Sequence, residues 1–257
     1  MIAIFDVDGV LINVSKSYHS SIKDTVDYFS EKDINLEELL DIKFSFNINN
    51  DWDASLAGII FAQLNTDLEN FKDMFVNFSQ RLEDMYRFAE DLSVEVPNYE
   101  DLIEFFEERY KFHRDKENMI FSHDLLNEIR NKSVIMGVIT GRPFEDLDYS
   151  FKKFDLYKYF DYIITEDDIP APDLRKPSAY PLKKFFEKYK YIEPVYYIGD
   201  TKSDLLMVEN FNTEENKDVQ FILNETPHNF DIDAEIKISN PEEILEIIKN
   251  NKKEFKI

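Results

Sequence analysis

The chain has 257 residues, with 53 Asp or Glu against 30 Lys or Arg and a formal net charge of −23. That sign opposes the cationic footprint of a nucleic-acid binder and discourages docking on anionic lipid, and the chain has no Cys for disulfides or thiolate metal sites. No stretch approaches the roughly 18 consecutive apolar residues of a membrane span, and no basic start leads into a long apolar run, so the cytoplasm is the expected location.

Ile2-Ala3-Ile4-Phe5 is a short apolar run with β-branched residues and predicts a buried strand. It ends at Asp6-Val7-Asp8-Gly9, which puts acidic residues at the carboxyl end of a strand. In open α/β sheets that edge is where ligands bind. From residue 15 to about 117 the apolar residues fall at helical spacing. Ile22, Val26 and Phe29 share one helix face, and Trp52, Leu56, Ile59 and Ile60 another. Leu68, Phe71, Phe75, Phe78, Leu82 and Phe88 follow on a helical period between Thr66 and Leu92, and Leu102, Phe105, Phe106 and Tyr110 mark a further helix. Asn50-Asp51 suits an N-cap, and Thr66 with Glu69 has the capping-box offset.

Beyond about residue 118 helices and strands alternate. Helices are predicted at 122–132, 144–154 and 180–189, strands at 134–140, 162–165 and 195–199. A short helix after Asp204 and a polar loop over 209–216 lead to a strand at 219–223, a last strand near 234–238 and a helix over 241–250. Such alternation means βαβ units and a parallel sheet. The expected fold is therefore α/β: a Rossmann-like parallel sheet core with helices on both faces, from residues 1–14 and 118–257, plus an inserted α-helical domain over 15–117.

Four strand ends or loops carry polar residues suited to chemistry. Asp6 and Asp8 can bind a hard cation or divide into nucleophile and acid/base, with Gly9 permitting the tight turn; they could equally form a solvated turn. An EF-hand loop does not fit, because Gly comes fourth rather than sixth. Thr140-Gly141-Arg142-Pro143 offers a hydroxyl and free backbone N–H groups to an anion, or an ordinary helix start. Lys176, before a helix, could neutralise a phosphoryl group or be a surface lysine. Gly199-Asp200-Thr201-Lys202-Ser203-Asp204 offers metal ligands, or helix caps at Asp200 or Ser203.

Together the four elements, D-x-D-G, a strand-end Thr, Lys, and G-D-x-x-x-D, resemble the haloacid dehalogenase superfamily. The resemblance covers residues 1–14 and about 118–257, and the inserted helices stand where that family carries a helical cap. It implies Asp6 as nucleophile, Asp8 as acid/base, and Asp6, the Asp8 carbonyl, Asp200 and Asp204 around Mg²⁺. It also implies Thr140 and the Gly141 N–H on phosphoryl oxygens and Lys176 as charge stabiliser. Such an arrangement meets the physical demand of phosphoryl transfer, which is positioning and charge neutralisation. The second Asp favours a phosphatase or phosphomutase over a dehalogenase or an ion pump. The expected partner is a small phosphorylated metabolite, with Gly9, Thr140, Gly141, Arg142, Lys16 and Asn50 as substrate-binding candidates and Asn49 and Asp51 beside them. Val14-Ser15-Lys16-Ser17-Tyr18 and the segment from Asn49 to Ser55 also resemble a small branch of cap-bearing phosphatases loosely linked to histidine biosynthesis.

Other signals are weaker. His19, His113, His123 and His228 form no ligand-spaced pair, and Glu166-Asp167-Asp168 suits a solvated run. A phosphomutase on the same core and a non-catalytic binding protein stay open as alternatives, as does the choice between monomer and homodimer.

Overall fold

The computed structural model describes residues 1–48, 50–64, 66–75 and 82–254. In chain order, β1 (Ile2–Phe5) and the short β2 (Ile12–Asn13) come first. Six helices follow: α1 (Tyr18–Ser30), α2 (Leu36–Ser45), α3 (Asp51–Gln63), α4 (Leu68–Phe75), α5 (Leu82–Asp91) and α6 (Tyr99–His113). Then come β3 (Asn118–Met119), α7 (His123–Lys132), β4 (Ile135–Ile139), α8 (Phe144–Lys153) and β5 (Tyr162–Ile164). The chain continues through α9 (Tyr180–Lys188), β6 (Val195–Gly199), α10 (Lys202–Glu215), β7 (Val219–Asn224), β8 (Ile236–Ile238) and α11 (Ile244–Glu254). No described helix is long and apolar enough to cross a membrane.

The chain divides into two compact units, residues 1–13 with 118–257, and residues 14–117. The first is Rossmann-like α/β. Its main sheet has six parallel strands in the order β5-β4-β1-β6-β7-β8, and β2 pairs antiparallel with β3. Strand side chains alternate between faces, so β1 feeds two cores. Ile2 and Ile4 join Leu182 and Phe185 of α9 and Met207 and Phe211 of α10 on one face. Phe5 points the other way, edge-on to Phe121 and Phe160 at 5.7 and 5.9 Å. Gly137 of β4 is required by close approach, since a Cβ there would lie 2.1 Å from Phe185 Cε2. The helices start on capping residues: Ser122 accepts from Leu125 N, and Thr201 forms a capping box with Asp204.

The second unit is all-helical among the described residues. Ile22 and Val26 of α1 are fully buried, and α1 packs on α3 and α6. Phe71, Phe75 and Phe88 pack with Phe46 and Phe61 at centroid distances of 4.8–6.5 Å. Phe78 lies outside the described residues. The two ends of the unit are tied together: Ser17 Oγ donates to the buried Glu117 at 3.0 Å, Tyr110 OH donates to the same oxygen at 3.2 Å, and Tyr18 stacks on Tyr110.

Three local expectations are corrected. Asp67, not Thr66, caps α4, accepting from Asn70 N at 2.9 Å, because a carboxylate one residue nearer the helix meets the free N–H first. Thr201, rather than Asp200 or Ser203, caps α10. The polar stretch 209–215 is not a loop but the last turns of α10, ended by Asn216 in the left-handed conformation. Its exposed helical face has the composition of a loop, which hides the helix from composition alone.

Candidate active site

Sheet order sets the site. β1 lies between β4 and β6, and Phe5 is level with Val138 and Ile198. Asp6 follows Phe5 directly and donates its N–H to Ile198 O at 2.9 Å, while Thr140 and Asp200 lie one residue beyond the neighbouring strand ends. Three chemistry-bearing strand ends therefore meet at one edge, at a position where strand order reverses. After Asp6 the backbone turns tightly, with the Val7 carbonyl taking the N–H groups of Val10, Leu11 and Ile12. Gly9 has φ +68°, and a Cβ there would fall 1.9 Å from Asp200 Oδ2. Only glycine fits both the backbone and the gap.

Lys176, carried by the loop before α9, is buried with Nζ 2.7 Å from Asp204 Oδ1 and 3.0 Å from Asp6 Oδ1. Asp204 is fully enclosed: its Oδ1 also accepts from Tyr197 OH at 2.9 Å, and its Oδ2 accepts from Thr201 N and Oγ1. Burial works against the Asp204 carboxylate, but Lys176 and these donors outweigh it and hold its pKa below the usual range. Asp6 and Asp200 go the other way. Burial is the largest cause for each, and the neighbouring carboxylates add to it; Lys176 only partly offsets them.

Oxygens of Asp6, Asp200 and Asp204 lie within 4.8 Å of one another. Asp200 Oδ1 is buried without a hydrogen-bond partner among the described residues, and Asp6 Oδ1 has only the ion pair to Lys176. Three carboxylates around one ammonium carry a formal excess of two negative charges, which the raised pKa values of Asp6 and Asp200 reflect. Hard oxygen donors, an orphaned buried oxygen and that formal excess fit a divalent cation such as Mg²⁺.

Asp8 stands apart from this cluster. Its Oδ1 is held by the buried Arg142, from Nε at 2.6 Å and Nη2 at 2.5 Å, and Arg142 Nη1 donates to Ser150 at 2.9 Å. Arg142 thus sits on the carboxylate that sequence reading paired with the leaving group. Thr140 is buried, and its Oγ1 accepts from Arg142 N at 3.1 Å, which leaves the hydroxyl proton to donate elsewhere. Gly141 is exposed beside it. Lys16 and Asn50 belong to the helical unit. Lys16 is exposed, whereas Asn50 Oδ1 accepts from Trp52 N and Asp53 N and caps α3. Asp51 of that helix pairs with Lys43, and Asn49 lies outside the described residues.

The run Glu166-Asp167-Asp168 is bonded rather than simply solvated. Glu166 pairs with Arg175, Asp167 accepts from Phe144 N at 2.8 Å, and Asp168 accepts from Thr165 N at 2.9 Å. Sequence reading missed Tyr197, Asn224 and Asn229. Asn224 Nδ2 donates to Gly9 O and Asn229 Nδ2 to Asp200 O, both at 2.7 Å. Asn224 is itself a polar strand end, so the rule applied to the other strands would have found it; Asn229 carries no such signal.

A parallel Rossmann-like sheet thus carries, at its carboxyl edge, an acidic cluster gathered on one buried lysine, and the protein is of the α/β class. Residues 59–215, more than half of the chain, match the model of the haloacid dehalogenase-like hydrolases, and the chain belongs to that family. The matched span begins beyond Asp6 and Asp8 and includes Thr140, Lys176, Asp200 and Asp204. No curated protein matches the sequence. The structure is similar to the phosphatase Tt82 from Thermococcus thioreducens, with 24% identity, 97% of this chain and 99% of that chain covered, and a TM-score of 0.67. It is similar to a Haemophilus somnus 129pt protein named for phosphoglycolate phosphatase activity (13% identity, 96% of each chain, TM-score 0.66). A Thermotoga maritima protein named for β-phosphoglucomutase activity is similar at 19% identity, covering 97% and 98% of the two chains with a TM-score of 0.57. At these identities the likeness is one of fold.

Proposed function

We propose that the chain is a Mg²⁺-dependent phosphatase that hydrolyses a small phosphorylated metabolite through an aspartyl-phosphate. The observation that carries this reading is the grouping of Asp6, Asp200 and Asp204 about Lys176, three carboxylates gathered on one ammonium. Asp6, Asp200, Asp204 and the Asp8 carbonyl would hold the metal, which when bound would offset charge on the carboxylates and the phosphoryl group. The helices of residues 15–117 would act as the family's helical cap, and the names of two similar structures, which include phosphatase activity, agree in chemical class.

An oxygen of Asp6 attacks phosphorus, and the bond from phosphorus to the leaving oxygen breaks. Asp8 gives that oxygen its proton. Asp8 then takes a proton from water, whose oxygen attacks phosphorus and releases Asp6 and inorganic phosphate. Thr140 and the Gly141 N–H would bind phosphoryl oxygens, and Lys176 would steady the charge that develops there. Arg142 fixes the direction of the Asp8 carboxylate.

The test is phosphate release from sugar phosphates, nucleotides, phosphoglycolate and histidinol phosphate, with Mg²⁺ and with chelator. Metal-dependent release from one or a few related compounds is expected, with Asp6→Asn reducing it by at least about 10⁴-fold. Release that survives Asp6→Asn would falsify the reading. Interconversion of hexose 1- and 6-phosphates without net release would replace it with a phosphomutase.

A further inference from the structure

We propose that Asn224 and Asn229 are positioning residues that hold the two acid-bearing strand ends, the loop Asp6–Gly9 and the segment Asp200–Asp204 that leads into α10, at the spacing that accepts a divalent cation. The inference rests on reading Asp6, Asp200 and Asp204 as the metal site.

Asn224 ends β7, next to β6, and its side-chain N–H donates to the carbonyl of Gly9 at 2.7 Å. Asn229, in the loop after β7, donates through Nδ2 to the carbonyl of Asp200 at 2.7 Å and to that of Asn224 at 2.9 Å. Its Oδ1 accepts from Thr226 N at 2.7 Å. Both side chains are buried, at 5% and 2% exposure. These partners fix the orientation of the Asn229 amide, because a carbonyl can only accept and an N–H can only donate. Gly9 O, Asn224, Asn229 and Asp200 O thus form one chain of bonds that ties both loops to the end of β7.

The site needs such a tie. Its carboxylates repel one another, and Lys176 compensates only part of their charge. The loops are also in direct contact, with the Gly9 Cα packed on the Asp200 carboxylate. A small shift of either loop would therefore change the spacing of the donor oxygens. Both asparagines grip main-chain carbonyls, so they restrain the loops while leaving Asp200 Oδ1 available to a ligand. Metal sites depend on such supporting groups, whose loss weakens metal binding by about 10–100-fold.

The experiment measures Mg²⁺ affinity by titration calorimetry and Tm with and without Mg²⁺, on the full chain. Asn229→Ala and Asn224→Ala are expected to weaken Mg²⁺ binding about 10–100-fold. They should lower kcat at low Mg²⁺, with recovery as Mg²⁺ is raised. Asn212→Ala is the matched control: it deletes two side-chain bonds to Val219 at the opposite end of β7 and should lower Tm without changing Mg²⁺ affinity. Asp200→Asn separates the proposal from the reading beneath it. If Asp200→Asn loses Mg²⁺ binding while both asparagine variants stay within twofold of wild type, the brace is refuted and the metal site stands. If Asp200→Asn binds Mg²⁺ like wild type, the metal-site reading fails and the brace fails with it. Should Asn229→Ala not fold, Asn224→Ala, which removes only the bond to Gly9, tests the brace on its own by the same twofold limit.

Discussion

In the helical unit Asp24 accepts from Arg109 Nε and from His113 Nε2, both at 2.8 Å, while Lys116 donates to the other nitrogen of that imidazole. At the sheet edge the ratio is reversed, with Asp6, Asp200 and Asp204 sharing Lys176. The two regions show opposite uses of charge. Around Asp24 basic groups outnumber the carboxylate, and the Asp24–Arg109 pair remains partly in water, which makes it worth little to stability. At the site, carboxylates outnumber the one ammonium, which disfavours their charged forms and creates demand for a cation.

The largest expected effect comes from removing the one ammonium. Lys176→Met should cost about 3–5 kcal/mol of stability, since it leaves buried carboxylates unpaired. Millimolar Mg²⁺ should return part of that loss, because a ligand bound only by the folded state raises its stability. Thermal melts with EDTA and with Mg²⁺ check both, and an unchanged Tm in EDTA would break the contrast between the regions.

Next comes the helical unit, whose stability comes from apolar packing. Phe71 is fully buried among Phe61, Phe75 and Phe88, so Phe71→Ala should cost about 3 kcal/mol. Denaturant unfolding measures it, and Mg²⁺ affinity should not move. Gly9→Ala should be milder in stability, about 2 kcal/mol from the positive φ and the encroachment on Asp200. Unlike Phe71→Ala, it should weaken Mg²⁺ binding as well.

The smallest effect is the pH dependence of Asp24. Burial raises its pKa, but His113 and Arg109 outweigh burial and hold it below the ordinary value of 3.8. A depressed carboxyl contributes stability that is present above the unfolded pKa and lost as pH falls through the folded one. Wild type should therefore lose up to about 1 kcal/mol more than Asp24→Asn between pH 5 and about pH 2, a small figure because the side chain is one-third exposed. Paired unfolding curves at the two pH values check the sign.

The α/β class was legible because a buried strand is a local pattern. Ile2–Phe5, Ile135–Ile139 and Val195–Gly199 are apolar runs ended by polar residues, readable without knowing what they pair with. Element edges were less legible where composition is ambiguous, as in the last turns of α10. Among the site candidates, the structure gathers Asp6, Lys176, Asp200 and Asp204. It commits Asn50 to capping α3 and Arg142 to Asp8, uses that residue type cannot reveal.

Amino-acid order by itself determined which strand ends bear acids, a hydroxyl or glycine, and that one block of helices interrupts an alternating α/β pattern. Periodicity and capping depend on residues a few positions apart, so they survive in one dimension. Tertiary structure alone decided that β1 lies between β4 and β6, that Lys176 reaches both Asp6 and Asp204, and that Asn224 and Asn229 grip the two acidic loops. Those partners are remote in the chain, and the bonds that select them form only once sheet order has brought the strand ends together.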